Sequence, residues 1–234
     1  MLWRVVALVV LCLVHLLGHR LRAKDPRRQV HWLSVGSGVS VAYVFLMLLP
    51  ELSADAAEVD VEGWFRVLYD HPHFVAMLGL LLFYGLDRLI RLDERRLSPN
   101  RASVSFALDI GSFMLYNAIV GHLIVEHTTD FALFWYAVAM SLHFLVVDRG
   151  LRESYGADFQ ALGRWLLVGA LALGFATSFV FEHLLNDLTP LLTAFLGGGV
   201  ILNTLNDELP ESRESHFGMF CTGALVYAGV VVLV

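Results

Sequence analysis

Eight apolar runs divide the chain, and each is close to the about 20 residues that an α-helix needs to cross the hydrocarbon core of a bilayer. Short polar segments separate the runs. They cover residues 2–19, 31–49, 73–90, 103–125, 131–147, 162–181, 189–207 and 216–234. Charged residues make up only 16% of the chain, against about 25% in soluble domains. The sequence therefore predicts an all-α integral membrane protein, in which residues 1–234 form a single transmembrane domain with eight transmembrane helices.

Lys and Arg fall almost entirely on one side of the predicted bundle. Of the 16 Lys and Arg residues, all but Arg4 and Arg66 lie in or beside the segments that follow the first, third, fifth and seventh runs. Because Lys and Arg concentrate in cytoplasmic segments, we expect these segments inside the cell and both termini outside. The sequence thus predicts a multi-pass protein of the cell membrane that is surrounded by the lipid bilayer and has no nucleic-acid partner.

The same three residues, Leu-Pro-Glu, close the second and seventh runs, at residues 49–51 and 209–211. A glycine lies twelve residues before each proline, Gly38 in one run and Gly198 in the other. The predicted topology directs these two runs across the membrane in opposite directions. Related segments of opposite orientation are typical of transporters built from inverted repeats, which bind their substrate near the bilayer midplane. The alternative is that two unrelated helices both end at proline, which lacks the N–H that a helix needs.

Four segments of the chain resemble the ZIP (Zrt/Irt-like) metal transporters. "GVSVAYVFLMLLPE" and "LTAFLGGGVILNTLNDELPE" are similar to the second and seventh helices of that family, and "YNAIVG" and "HFLVVD" to parts of the fourth and fifth. The resemblance implies a 3+2+3 bundle in which helices one to three and six to eight are inverted repeats, and it allows a homodimer. It also implies that the protein is no enzyme. We expect inward transport of a divalent metal cation, zinc or a similar ion, by alternating access through an altered midplane site.

The fourth run matches the family's His-Asn-x-x-Asp/Glu-Gly motif at only two positions. Asn117 and Gly121 agree with the motif, whereas Tyr116 replaces its histidine and Val120 its carboxylate. Asp109 lies about two turns nearer the cytoplasmic end of the same run. Because carboxylates inside a membrane usually face a cavity or a partner, Asp109 is a candidate for either a functional or a structural role.

The fifth run matches the family's His-Glu-x-Pro-His-Glu motif at its two ends. His143 agrees with the first histidine and Asp148 with the final glutamate. Between them, Phe144 replaces the first glutamate of the motif, Val146 its proline and Val147 its second histidine. Zinc needs about four donor atoms, so the matched positions alone provide an incomplete site.

Three polar residues form a stripe on the seventh run. Asn203, Asn206 and Asp207 follow the spacing i, i+3 and i+4, which places them on one face of a helix. Their oxygen atoms suit hard or borderline cations. Such a stripe lines either a permeation path or a hydrogen-bonded helix contact, and the sequence leaves both open. Together, the candidate metal-site residues are Asn117, His143, Asp148, Tyr116, Asp109, Asn203, Asn206 and Asp207.

The other histidines receive structural interpretations. His15 and His19 share one face of the first run, where interfacial histidines are favoured over metal or haem ligands. His122 and Glu126 lie one turn apart on the fourth run, where a solvated pair is favoured over an outer metal site.

Two alternative functions remain open. The chain could be a non-transporting structural or regulatory homologue that acts through partners, because the motif has lost donors. It could also be a haem-binding membrane electron carrier that uses His122 and His143 of consecutive runs. A divalent cation such as Zn²⁺ is expected as a substrate, and no other cofactor is implied.

Overall fold

The computed structural model describes residues 1–21, 26–50, 66–94, 99–126, 129–180, 182–203 and 216–233, and in these residues every regular element is a helix. The prediction of an all-α fold is confirmed. The principal helices are α1 (Leu2–Leu17), α2 (Pro26–Tyr43), α3 (Pro72–Glu94), α4 (Pro99–Glu126), α5 (Asp130–Asp158), α6 (Arg164–Val180), α7 (Glu182–Asn203) and α8 (Phe217–Leu233). Shorter elements are a 3₁₀ turn at Gly18–Leu21, π-helical turns at Val44–Leu48 and Phe159–Gly163, and a helical turn at Arg66–Asp70.

Four helical segments are long and apolar enough to cross a membrane. They are Leu2–Arg20, Val30–Leu48, Val104–Glu126 and Asp130–Val180, the last of which contains both α5 and α6. Two further apolar helical segments are shorter, Leu188–Leu202 and Phe217–Leu233. Since a hydrophobic helix of about 20 residues matches the thickness of the hydrocarbon core, these segments indicate a membrane-embedded protein.

The helix starts follow from local sequence. Pro26, Pro72 and Pro99 open α2, α3 and α4, where the missing N–H of proline is harmless and its fixed φ favours the helix. Thr129 caps α5, because its hydroxyl oxygen accepts a hydrogen bond of 3.1 Å from the backbone N–H of Ala132.

Helix α5 continues well past the predicted end of its apolar run. The run ends at residue 147, whereas the helix reaches Asp158. Its buried stripe persists beyond the run, since Val147 and Leu151 pack in one cluster with Phe159. Gly156 then breaks the regular geometry with a φ of 45°, a conformation that glycine adopts without a Cβ clash. Because the helix continues to Asp158, Asp148 lies inside it and not at its end.

Close helix contacts occur where glycines face backbone atoms of a neighbour. Helix α4 packs on α6, α2 on α8, α3 on α7, and α1 on both α5 and α6. A Cβ at Gly121 of α4 would overlap the carbonyl oxygen of Leu171, and one at Gly174 of α6 would overlap that of Ala118. Small residues allow such close backbone approach, which is how helices associate where lipid removes the hydrophobic driving force.

The contact between α4 and α6 gives a direct test of this packing. Gly174→Ala should lower the free energy of unfolding by about 1–3 kcal/mol, because the new methyl group meets rigid backbone and the helices must separate. Gly169→Ala on the same helix is the matched control, since a Cβ there has no atom within 4 Å and alanine favours helix. Unfolding by SDS in mixed micelles measures both. Equal stabilities for the two variants would contradict the packing.

Candidate functional site

A buried histidine of α1 joins three helices through side-chain hydrogen bonds. His15 Nδ1 lies 2.9 Å from Asp148 Oδ1 of α5, and His15 Nε2 lies 2.9 Å from Asn117 Oδ1 of α4. The three residues are 2%, 0% and 1% exposed for His15, Asp148 and Asn117. We call this group the polar centre. It brings together two candidates from the fourth and fifth runs with a residue of the first run.

The amide of Asn117 determines that Nε2 of the His15 ring carries a proton. Asn117 Nδ2 donates a hydrogen bond of 2.8 Å to the carbonyl oxygen of Phe113, one turn earlier. Its Oδ1 therefore faces His15 and can only accept, so His15 Nε2 carries a proton and donates it. The orientation of this amide thus assigns Nε2 to Asn117 and leaves Nδ1 to face Asp148.

Asp148 is held by one oxygen only. Its Oδ1 bonds to His15, whereas Oδ2 is buried and has no hydrogen-bond partner among the residues that the structure describes. Arg152 approaches the same turn but donates to the backbone oxygen of Asp148, at 3.3 Å. A buried carboxylate without water is costly, and its cost is offset only by partners with good geometry. His15 is the partner that the described side chains provide.

Tyr116 and His143 form a second, aromatic group beside the polar centre. Their ring centroids are 5.5 Å apart, and the Tyr116 hydroxyl approaches the sulfur of Met140 at 4.0 Å. Phe144 separates this group from the polar centre, with its ring centroid 4.4 Å from that of His15 and 6.3 Å from that of Tyr116. The rings of Tyr116, His143 and Phe144 therefore line one side of the polar centre.

The remaining candidates lie elsewhere. Asp109 is half-buried on α4, eight residues before Asn117, which is about 12 Å along the helix axis. Its backbone oxygen accepts a hydrogen bond of 2.7 Å from the hydroxyl of Ser112. Asn203 is the last residue of α7, and Asn206 and Asp207 lie outside the described residues.

The interpretation of His122 as part of a solvated pair is wrong, because the residue is 3% exposed. His15 is 2% exposed and lies between helices, where both of its ring nitrogens have partners. His122 Nδ1 lies 2.7 Å from the hydroxyl of Ser178 on α6, and Nε2 lies 3.0 Å from the hydroxyl of Thr189 on α7. These contacts cross between helices, and no pattern within one run reveals them. The only sequence signal for His15 is its spacing of four from Leu11, which is also buried.

The chemistry of the polar centre combines an imidazole, a carboxylate and an amide. Within the part of the chain that the structure describes, no group of three His, Cys, Asp or Glu side chains is placed to hold a metal ion. Asn117 adds an amide oxygen to the His15–Asp148 pair, and together these are donors that borderline divalent cations accept. No family model and no curated protein matches the chain.

Removing one member of the pair should be far more harmful than removing both. His15→Leu should lower the free energy of unfolding by about 3–5 kcal/mol, because Asp148 then remains buried without its partner. Adding Asp148→Leu should recover most of this loss, since no buried charge remains. SDS-induced unfolding in mixed micelles measures the three proteins.

An exposed ion pair of the same helix is the matched control. Arg149 Nε lies 2.7 Å from Glu153 Oε1 at the surface of α5, and Arg149→Ala should cost only about 0.5 kcal/mol. If the double variant were as unstable as His15→Leu alone, the carboxylate of Asp148 would not depend on His15.

Proposed function

We propose that the chain is a multi-pass protein of the cell membrane with eight spans in a 3+2+3 inverted-repeat bundle, both termini outside, and that it moves a divalent metal cation inward by alternating access. The proposal joins the ZIP-like motifs to the packing of the helices. The polar centre and the neighbouring Tyr116 and His143 are the proposed cation path through the bundle. No nucleotide-binding motif is present in the sequence, and the cation gradient is the proposed source of energy.

One observation supports the inverted repeat most directly: the two glycines of the Leu-Pro-Glu runs make equivalent contacts. A Cβ at Gly38 of α2 would overlap the carbonyl oxygen of Phe220 on α8. A Cβ at Gly198 of α7 would overlap that of Ala76 on α3. The glycines are 160 residues apart and the contacted residues 144 apart.

The same two offsets recur at a second pair of glycines. Gly223 of α8 faces the carbonyl oxygen of Val35, and Gly79 of α3 faces that of Phe195. The glycines are again 144 residues apart and their partners 160 apart. Two unrelated helices that merely end at proline would have no reason to reproduce four backbone contacts in a fixed register. The contacts therefore favour a pseudo-two-fold relation between the two parts of the chain.

The wider packing pattern agrees with this relation. A 3+2+3 repeat exchanges the first helix with the sixth, the second with the seventh, the third with the eighth and the fourth with the fifth. Helix α2 packs on α8 as α7 packs on α3, α1 on α5 as α6 on α4, and α2 on α5 as α7 on α4. Helices α1, α4, α5 and α6 form one group, which contains the polar centre. Helices α2, α3, α7 and α8 form the other group, against which the first is proposed to move in alternating access.

A non-transporting ZIP-like homologue is the second candidate function. It is favoured by the internal hydrogen bonds of the polar centre, which satisfy His15 and Asn117 without an ion. The haem-carrier alternative has less support, because both ring nitrogens of His122 already contact hydroxyl groups and a haem iron needs one of them.

Labelling from each side of the membrane tests the repeat. In a protein without Cys12 and Cys221, Glu51→Cys should react with an impermeant maleimide added outside cells. Glu211→Cys should react only after the membrane is permeabilised, because the proposed topology places the two Leu-Pro-Glu ends on opposite faces. Labelling of both positions from the same side would contradict the inverted repeat.

Zinc flux into liposomes tests transport. The purified protein should raise the rate of Zn²⁺ entry above that of empty vesicles, as reported by an enclosed dye. Asp148→Ala should lower the rate at least about tenfold, since it removes a carboxylate of the proposed path. Glu153→Gln, an exposed change one turn further along α5, should leave the rate unchanged. A wild-type rate equal to that of empty vesicles would favour the non-transporting homologue.

A further inference from the structure

The two ring nitrogens of His15 have different roles. Nε2 donates to the amide oxygen of Asn117, whose orientation is fixed by its own bond to Phe113. Nδ1 faces the carboxylate of Asp148 at 2.9 Å. Histidines that bind metal ions in proteins usually donate their second N–H to an oxygen acceptor, which fixes the tautomer and the ring orientation. The environment of His15 has this arrangement, with Asn117 as the acceptor.

We propose that His15 Nδ1 and the carboxylate of Asp148 bind a first-row divalent cation, and that Asn117 is a positioning residue that orients His15. This inference rests on the proposed transport function, because the bound ion is its cargo. The ligands come from α1 and α5. The ZIP-like motifs, in contrast, place ligands on the fourth and fifth helices only, so His15 compensates for donors that the motifs have lost.

The distances fit such a site. In octahedral coordination, two neighbouring ligand atoms that each lie about 2.1 Å from the ion are about 3.0 Å apart, whereas the tetrahedral geometry common for zinc separates them by about 3.4 Å. The separation of His15 Nδ1 and Asp148 Oδ1 is 2.9 Å. Asp148 Oδ2 is buried, with no hydrogen-bond partner in the described part of the chain, and it supplies the third donor atom. Water completes the octahedral coordination.

Ion binding at this site exchanges a metal ion for a proton. The hydrogen bond between His15 Nδ1 and Asp148 Oδ1 requires one proton, and because the carboxylate accepts, this proton lies on Nδ1. When the cation binds, the Nδ1–H bond breaks, the Nδ1–metal bond forms, and the proton leaves to water. The proton on Nε2 stays in its bond to Asn117. No electron transfer is involved. The divalent cation brings two positive charges to the site and one proton carries one away, so the site gains one positive charge per ion bound.

The Phe144 ring packs against the His15 imidazole and restricts its rotation. Its ring centroid lies 4.4 Å from that of His15, with an angle of 32° between the rings. Since Phe144 is 1% exposed, it cannot rotate away without opening the core. Three contacts therefore hold His15, namely the Asn117 amide, the Asp148 carboxylate and the Phe144 ring. A ligand held in this way binds an ion with little further ordering.

His122 is the matched histidine that this proposal excludes from ion binding. It is also buried and also contacts two side chains, but both are hydroxyl groups, from Ser178 and Thr189. Neutral hydroxyls compensate less of the charge of a divalent cation than a carboxylate does. His122→Gln is therefore the control for His15→Gln.

Cobalt binding to the purified protein in detergent tests the proposal, because Co²⁺ reports its ligands through visible absorption bands. The wild-type protein should bind one Co²⁺ per chain, and Zn²⁺ should displace it. His15→Gln should weaken binding by more than about 100-fold and His122→Gln by less than about twofold. Asn117→Ala should weaken it about 10–100-fold, as the loss of an outer partner does, and should leave the shape of the bands unchanged because the ligands are the same.

A second variant keeps the test decisive if His15→Gln does not fold. His15→Cys replaces the imidazole with a thiolate, which is also a metal ligand. Its Co²⁺ complex should show a sulfur-to-metal charge-transfer band in the near ultraviolet that the wild-type complex lacks. The band appears only if residue 15 contacts the ion.

The outcomes separate this inference from the transport proposal. Unchanged Co²⁺ affinity in His15→Gln, or a Co²⁺ complex of His15→Cys without the new band, would overturn the site even if the liposomes take up zinc. Zinc uptake by a protein that binds no Co²⁺ would overturn it as well. Co²⁺ bound through residue 15 without any zinc flux would support the site and contradict transport.

Discussion

A carboxylate inside an apolar helix bundle must have a partner, and the arrangement of α1, α4 and α5 depends on this requirement. Asp148 is fully buried and its described partner is His15, which α1 provides only in one register and rotation. A shift of α1 by one residue would turn His15 by about 100° and leave both Asp148 and Asn117 without their bonds. The polar centre thus specifies how α1 docks, which apolar contacts such as those of Leu11 cannot do alone.

The glycine contacts determine the remaining packing by a different mechanism. Lipid chains are as apolar as leucine and valine side chains, so moving these side chains from lipid to a helix contact gains little hydrophobic free energy. Apolar area therefore does not select one helix partner over another. Backbone contact at Gly38, Gly121, Gly174 and Gly198 does select partners, because each requires a small residue opposite a carbonyl group. Dispersion forces then act over the full length of the close contact. The polar centre and the glycines together define one arrangement among many that apolar helices could adopt.

The sequence predicts the helices of this fold well and its side-chain contacts poorly. Run length and composition locate the helices, since both depend on local residues. The end of α5 is missed, because Asp148 ends the apolar run but not the helix, and Leu151 continues the buried stripe. Gly38 and Gly198 are paired in the sequence by their equal spacing to proline. Their contacts with α8 and α3 are not recognised, because these depend on residues far along the chain.

The polar centre shows why the site could be predicted only in part. Asn117 and Asp148 are found from their motifs, and the structure places them on opposite sides of one imidazole. His15 has no motif, and together with His19 near the end of an apolar run it resembles an interfacial residue. Its burial is explained by two polar groups on other helices, the Asn117 amide and the Asp148 carboxylate, which both bond to its ring. The Phe144 ring lies between His15 and Tyr116, and the Asn117 and Asp148 side chains bond to His15 of α1. The hydrogen bonds of the polar centre therefore depend on the packing of three helices, which no single run of the sequence reveals.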